Sequence, residues 1–254
     1  MLSPVSDVRI ALVSEGPTDR IVLEAAISAI LEPQTFVLHQ LQPEGSIAFG
    51  ETGAGWGGVY RWCKQSAARG AGRVSNDRMV FHAFDLLIIH VDIDVATGSY
   101  PQARIDASHT DGILPCDLPC PPASATADQL RRVVLSWCGE NHLPGCLVVC
   151  LPSRNMDAWV LASVFPDQRS GHLECLADPA DWMRQRPLRS RVKKSQSAYR
   201  ELADRMAGEW ADVVVHLPQA ATFQTELEMA VSACFQIQPV ATGNTAATTP
   251  ASNR

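Results

Sequence analysis

Asp85-Leu-Leu-Ile-Ile-His-Val-Asp-Ile-Asp-Val95 is the stretch on which the fold turns. Leu86, Leu87, Ile88, Ile89 and Val91 form a nearly continuous apolar run in which β-branched residues favour a strand. A strand apolar on both faces is covered on both faces, as in parallel sheets flanked by helices. The run ends in Asp92-Ile93-Asp94, which delivers two carboxylates to one edge of the sheet. Spaced two apart, they point the same way if the strand persists that far.

Working outward, Val8, Ile10, Leu12 and Val13 predict a first buried strand, closed by the turn Glu15-Gly16-Pro17-Thr18-Asp19. Thr18 is the expected cap of a helix from Asp19 to Leu31, which Pro33 ends. A second strand follows over 36–41. Residues 44–58 are rich in glycine and read as a loop before a helix over 59–70. They lack the spacing of a dinucleotide fingerprint. Beyond the central strand lies a long loop, 97–125, holding Pro101, Pro115, Pro119, Pro121 and Pro122. Loops of that length in a compact domain signal function or disorder. Then come a helix over 125–142, a buried strand over 146–151 and a short helix over 155–165. A helix over 195–210, a strand over 212–217 and a last helix over 222–234 complete the pattern. Strands alternate with helices, so the expectation is one α/β domain over 1–236, its sheet mainly parallel with helices on both faces. The tail, 237–254, has the composition of a disordered segment.

The chain has 254 residues, 46% of them hydrophobic, enough for one packed core. It contains no apolar run of membrane-spanning length and no basic-then-apolar leader, so a cytoplasmic protein is expected. Cys63, Cys138, Cys146, Cys150 and Cys234 sit beside apolar segments and read as free buried thiols. Cys116 and Cys120 form a Cys-x-x-x-Cys pair. Zinc there would need two further ligands, and only His109 is near, so the pair is not read as a metal site. The net charge of −6 argues against broad nonspecific nucleic-acid binding. It hides a local concentration, because Arg184, Arg186, Arg189, Arg191, Lys193 and Lys194 fall within eleven residues. Acid elsewhere and base here suit a metal site beside a phosphate-holding surface.

In a parallel sheet ligands collect at the carboxyl ends of the strands. Glu15, Asp92, Asp94 and Asp157 all fall there. Each alone is unremarkable as turn chemistry or as an acid at a helix start. Together they are like charges that a hard divalent cation, Mg²⁺ or Mn²⁺, would compensate. Lys193 or Lys194 then offers positive charge to a phosphoryl transition state.

These segments resemble the Toprim superfamily, in which one strand ends in Glu-Gly and a later one in Asp-x-Asp. Here these are Val13-Ser14-Glu15-Gly16-Pro17-Thr18-Asp19 and Ile89-His90-Val91-Asp92-Ile93-Asp94. The Glu-Gly-x-Thr-Asp form is most similar to the nucleases of the overcoming-lysogenization-defect type. Small stand-alone bacterial members of that branch are further matched by Gly55-Trp56-Gly57-Gly58-Val59 and approximated by Thr222-Phe223-Gln224. The resemblance implies a Rossmann-like Toprim fold and Mg²⁺-dependent cleavage of DNA or RNA, in phage-defence or mobile-element settings. By residue it implies Glu15 as metal ligand or general base, and Asp92 and Asp94 as metal ligands. Asp19, matching the family's second acid after the turn, and Asp157 are the further metal ligands implied. Asp157 stands where the branch more usually has glutamate, and Lys193 or Lys194 is the catalytic lysine. No phosphate-binding Gly-x-x-x-x-Gly-Lys-Ser/Thr segment is present, so an ATPase would have to be a partner. Tyr60, Tyr100 and Tyr199 are the only tyrosines, and none stands out as a topoisomerase nucleophile. Two other functions remain open: a non-catalytic, partner-dependent subunit, and a metal-dependent phosphatase on small phosphates.

Overall fold

A computed structural model describes residues 7–43, 53–170 and 172–236. Among these residues the sheet has four strands, β1 (Val8–Val13), β2 (Phe36–Gln42), β3 (Leu86–His90) and β4 (Leu147–Cys150). All pairings are parallel and the order is β2-β1-β3-β4. The predicted class, an α/β fold with a parallel sheet, is the one observed. The helices are α1 (Pro17–Leu31), α2 (Gly55–Arg69), α3 (Arg78–Phe81), α4 (Ala123–Trp137), α5 (Asp157–Val164), α6 (Pro179–Arg184), α7 (Gln196–Gly208), α8 (Trp210–His216) and α9 (Pro218–Gln236).

Alternation along each strand divides the core in two. Ile10, Leu12, Leu86, Ile88, Val148 and Cys150 face a cluster built with α1, α5, α7, α8 and α9. Ala11, Val13, Leu87, Ile89, Leu147 and Val149 face the other, built with α2 and α4. Both faces of the sheet are thus covered at its centre, which is why β4 is apolar throughout and β3 up to His90. The strand order reverses between β1 and β3. Beyond their carboxyl ends opens the crevice in which open parallel sheets bind ligands.

Several elements depart from expectation. Residues 212–217 form no strand: 212–216 belong to α8 and Leu217 caps it. The run Val213-Val214-Val215 has strand propensity, yet Trp210, Val213 and Leu217 are buried while Val215 is 77% exposed. That spacing is helical, and tertiary packing overrides β-branching. β3 ends at His90 rather than Val95, because the chain turns into a 3-10 helix over Ile93–Thr97. Helix α1 is capped at Gly16, not Thr18, with Pro17 at its first position, where no amide hydrogen is needed. Helix α2 begins at Gly55, so the glycine-rich segment supplies its first turn. Residues 44–52 lie outside the described residues, as does the tail predicted to be disordered.

Helix α4 ends at Trp137, short of His142, because Gly139 takes a left-handed conformation (φ +69°). A Cβ there would sit 1.8 Å from the Gly72 carbonyl oxygen. Gly139→Ala should therefore cost about 2–4 kcal/mol, through backbone strain plus displacement of the Gly72 turn, read as a lowered urea midpoint. An unchanged midpoint would show that the turn yields freely.

The proline-rich loop is pinned rather than loose. Asp111, buried, accepts from Tyr60 Oη (2.8 Å), Lys64 Nζ (2.8 Å) and the Ser108 amide (2.8 Å). Thr126 Oγ1 accepts from the Leu118 amide (2.9 Å). Cys120 forms a disulfide with Cys175, Cα atoms 5.6 Å apart, a pairing that the free-thiol reading of the cysteines did not foresee. The five cysteines read as free buried thiols are free, but only Cys63, Cys138 and Cys150 are buried, Cys146 and Cys234 being partly exposed; Cys116 is free as well.

Candidate functional site

The crevice at β1 and β3 is built from backbone outward. The Gly55 amide, first residue of α2, donates to the Glu15 carbonyl (2.9 Å). Gly58 lies against that approach, since a Cβ on it would sit 2.3 Å from the Gly53 carbonyl oxygen. The Gly-Trp-Gly-Gly-Val segment is thus a close-packed clamp behind Glu15. The Glu15 carboxylate in turn accepts from the Asp92 amide (2.8 Å), tying the end of β1 to the end of β3. Asp92 Oδ1 accepts from the Met156 amide (2.9 Å), which adds the segment after β4.

His90 is fully buried between two carboxylates. Its Nε2 lies 3.3 Å from Asp92 Oδ1 and its Nδ1 3.6 Å from Asp19 Oδ2. Neither ring nitrogen has a well-formed hydrogen bond, so the attraction is mainly ionic. Burial alone would lower the His90 pKa, but Asp92, Asp19 and Glu15 outweigh it and raise it to about 9. His90 is therefore a buried cation at neutral pH, and the sequence reading passed over it. The signal was available, as a histidine two residues before Asp-x-Asp at the end of an otherwise wholly apolar strand.

One buried imidazolium does not balance the acids. Glu15, half-buried, is pushed up to about 8 by burial and then by Asp92, with His90 opposing. Asp94 is raised to about 6 by the same two causes. Its side chain reaches solvent, which screens part of that effect. Asp19, buried, is raised by burial while His90 pulls it down. Its Oδ2 accepts from the Gly16 amide (2.7 Å).

Asp94 does not extend β3 beside Asp92. It sits in the 3-10 turn, its amide donating to the Arg154 carbonyl (3.1 Å). The Arg154 amide donates to the Glu174 carbonyl (3.2 Å), and Glu174 neighbours Cys175 of the disulfide. A backbone relay therefore runs from that bridge to Asp94.

Asp157 opens α5 and is 1% exposed. Lys194 Nζ donates to its Oδ2 (2.8 Å) and the Tyr199 hydroxyl to its Oδ1. Of the two adjacent lysines, Lys194 is thus the one turned toward the acids. Its pKa, which burial alone would lower, is held up by Asp157, Asp92 and Asp19. Lys193 lines a separate open groove with Arg191 and Ser195.

The structure brings together Glu15, Asp19, Asp92, Asp94 and, through Lys194, Asp157. Among the described residues no three His, Cys, Asp or Glu side chains are already arranged to hold a metal ion. The carboxylates of Glu15, Asp92, Asp19 and Asp157 are each turned to a protein donor. Thr222-Phe223-Gln224 lies one turn inside α9 rather than opening it, with Phe223 packed on Trp159 and Trp210. Among the described residues no helix is long and apolar enough to cross a membrane.

Fold and site together define an α/β protein with a parallel sheet and an acidic crevice at its topological switch point. Compared with family models, curated proteins and solved structures, the chain finds no match.

Proposed function

We propose that this chain is a divalent-metal-dependent nuclease, hydrolysing phosphodiester bonds in DNA or RNA, as its Toprim-like segments imply. The observation that carries the reading is the surplus of carboxylate at the switch point. Glu15, Asp19, Asp92 and Asp94 crowd one crevice, and burial, then the Asp92 charge, hold Glu15 and Asp94 reluctant to ionise, with too little positive charge to oppose them. A hard divalent cation relieves that deficit, and an all-oxygen donor set suits Mg²⁺ or Mn²⁺. Glu15, Asp92 and Asp94 would hold it. Asp19, engaged by Gly16 and His90, and Asp157, engaged by Lys194 and Tyr199, act by orienting their neighbours.

When bound, such an ion polarises a phosphate oxygen and makes its water a better nucleophile. The chain's own contributions are distinct. Lys194, steadied on buried Asp157, offers a fixed positive charge to the phosphate at no reorganisation cost. His90 lies beneath the crevice, where Asp92, Asp19 and Glu15 favour its protonated form, and it sets a positive charge against theirs.

A second reading is favoured by the lack of a preformed three-ligand cluster among the described residues. In it the chain is a subunit that becomes competent only when a partner, such as an ATPase, reshapes the crevice. One assay separates the readings. Purified protein is incubated with plasmid, linear duplex, single strands, tRNA and a small phosphomonoester, in Mg²⁺, Mn²⁺ or EDTA, beside Asp92→Asn. The nuclease reading expects polynucleotide cleavage that EDTA and Asp92→Asn abolish. Cleavage that survives both sinks it. No cleavage by a folded protein that binds Mn²⁺ transfers the case to the partner-dependent subunit, and turnover of the monoester alone makes it a phosphatase.

A further inference from the structure

We infer that the groove between residues 188–195 and the first turns of α7 binds an unpaired nucleotide of a single-stranded segment next to the acidic crevice. The inference deepens the nuclease reading and rests on it, by naming the form of nucleic acid this site takes.

The groove has a volume of about 470 Å³ and is open to solvent. Arg191 and Lys193 stand on one wall with Ser195 and Ser197. Leu188, Val192, Ala198 and Leu202 supply apolar surface, and Glu201 lies one helical turn beyond Ser197. Leu188 is 83% exposed at the lip. Cation, hydroxyl and apolar surface side by side are the needs of a nucleotide, whose phosphate is anionic and whose base has an apolar face.

Charge complementarity singles out this place. Residues 184–194 hold six basic side chains and no acid, whereas the rest of the chain has fifteen basic residues against all 27 acidic ones. Within the run, Arg184 is paired with Asp181, Arg186 is stacked 3.8 Å over Trp182, and Lys194 is committed to Asp157. Arg189, Arg191 and Lys193 make no ion pair among the described residues. A polyanion repelled by most of the surface is thus admitted here. Lys193 and Lys194 are consecutive, so the groove begins one residue from the lysine that faces the crevice, and a strand can engage both.

The apolar wall discriminates strand form. A duplex keeps its base faces stacked inside and would offer this groove only phosphate and sugar. An unpaired base can lie on Leu188 and Leu202, where the Glu201 carboxylate can accept from an exocyclic amino group.

The test is equilibrium binding of the whole chain to fluorescein-labelled 20-nucleotide single strands, DNA and RNA, and to the duplex of the same sequence. It is read by anisotropy over a salt series in EDTA. Single strands should bind at least ten-fold more tightly than duplex. The double variant Arg191→Glu/Lys193→Glu should weaken single-strand binding by ten-fold or more and lower the slope of log K against log salt by about 1.4, at roughly 0.7 per phosphate contact on a single strand. Leu188→Ser should weaken single strands several-fold, leaving that slope and the duplex affinity unchanged. All three side chains are exposed, so melting curves should match wild type. Duplex binding as tight as single-strand binding, or variants that bind like wild type, would overturn the inference. Because binding is measured without metal, its loss leaves the cleavage assay standing, and failed cleavage with intact binding counts against the nuclease reading alone.

Discussion

Glu15→Gln should abolish metal-dependent cleavage, by a factor on the order of 10³ or more for a lost metal ligand, and at the same time stabilise the metal-free protein at alkaline pH. Both effects have one cause. In the fold the Glu15 pKa stands near 8, raised by burial and by Asp92 from an unfolded value near 4.3. The native state therefore prefers the neutral acid. Its stabilising share is full below about pH 4 and is lost as pH rises through 8. Asp94, raised to about 6, has the same sign. So has His90, raised to about 9, whose share is full below about pH 6.5 and lost above 9.

Metal-free wild type should accordingly weaken from pH 5 to pH 9, and Glu15→Gln should recover on the order of 3 kcal/mol of that loss. Mg²⁺ should stabilise wild type more at pH 9 than at pH 5, because the ion binds the ionised carboxylates, and should do little for Glu15→Gln. Urea melts at both pH values, with and without Mg²⁺, measure all of this. A variant no more stable than wild type at pH 9 would mean that Glu15 is not frustrated in the crevice.

Reducing the Cys120–Cys175 bridge should cost about 4 kcal/mol, the chain-entropy expectation for a closed loop of some 55 residues. The consequence should not stop at stability. The loop is attached to the 3-10 turn of Asp94 through the Cys116 amide and the Ala96 carbonyl (2.8 Å). The other end of the bridge reaches Asp94 through Glu174 and Arg154. Breaking the covalent closure loosens both attachments. Amide hydrogen exchange at Asp94 and Arg154 should accelerate at least ten-fold in reductant or in Cys120→Ser, while amides of β1 and β3 keep their relative protection. Cys116→Ser, which removes an unbonded thiol of the same loop, is the control and should leave both readouts unchanged. Equal exchange with and without the bridge would mean that the hydrogen bonds alone hold the turn.

The central strand, its parallel neighbours and the placing of Glu15 and Asp92 at their carboxyl ends were legible in the chain. Continuous apolar runs between helical segments have few alternatives, and a carboxylate can follow such a run only where the strand leaves the core. That much is dictated locally, by hydrophobic period and by the cost of burying charge. The helix over 210–216 was not legible, because three consecutive valines favour a strand until Trp210 and Leu217 find the same pocket. Nor was the end of β3 at His90, which depends on the Ser153 and Arg154 carbonyls, in the segment after β4, taking the Ile93 and Asp94 amides (3.2 and 3.1 Å). Tertiary structure alone chose Lys194 over Lys193, since only the packing of α5 against α7 places Asp157 and Tyr199 where one of two adjacent lysines can reach. It also paired Cys120 with Cys175 across 55 residues and set His90 between Asp92 and Asp19. The sequence by itself determined which acidic and basic groups are present and at which edge of the sheet the carboxylates of Glu15 and Asp92 fall. Which groups touch, and so which carry charge at neutral pH, was decided by long-range packing, because distance and burial set those interactions and neither is a property of the residues one at a time.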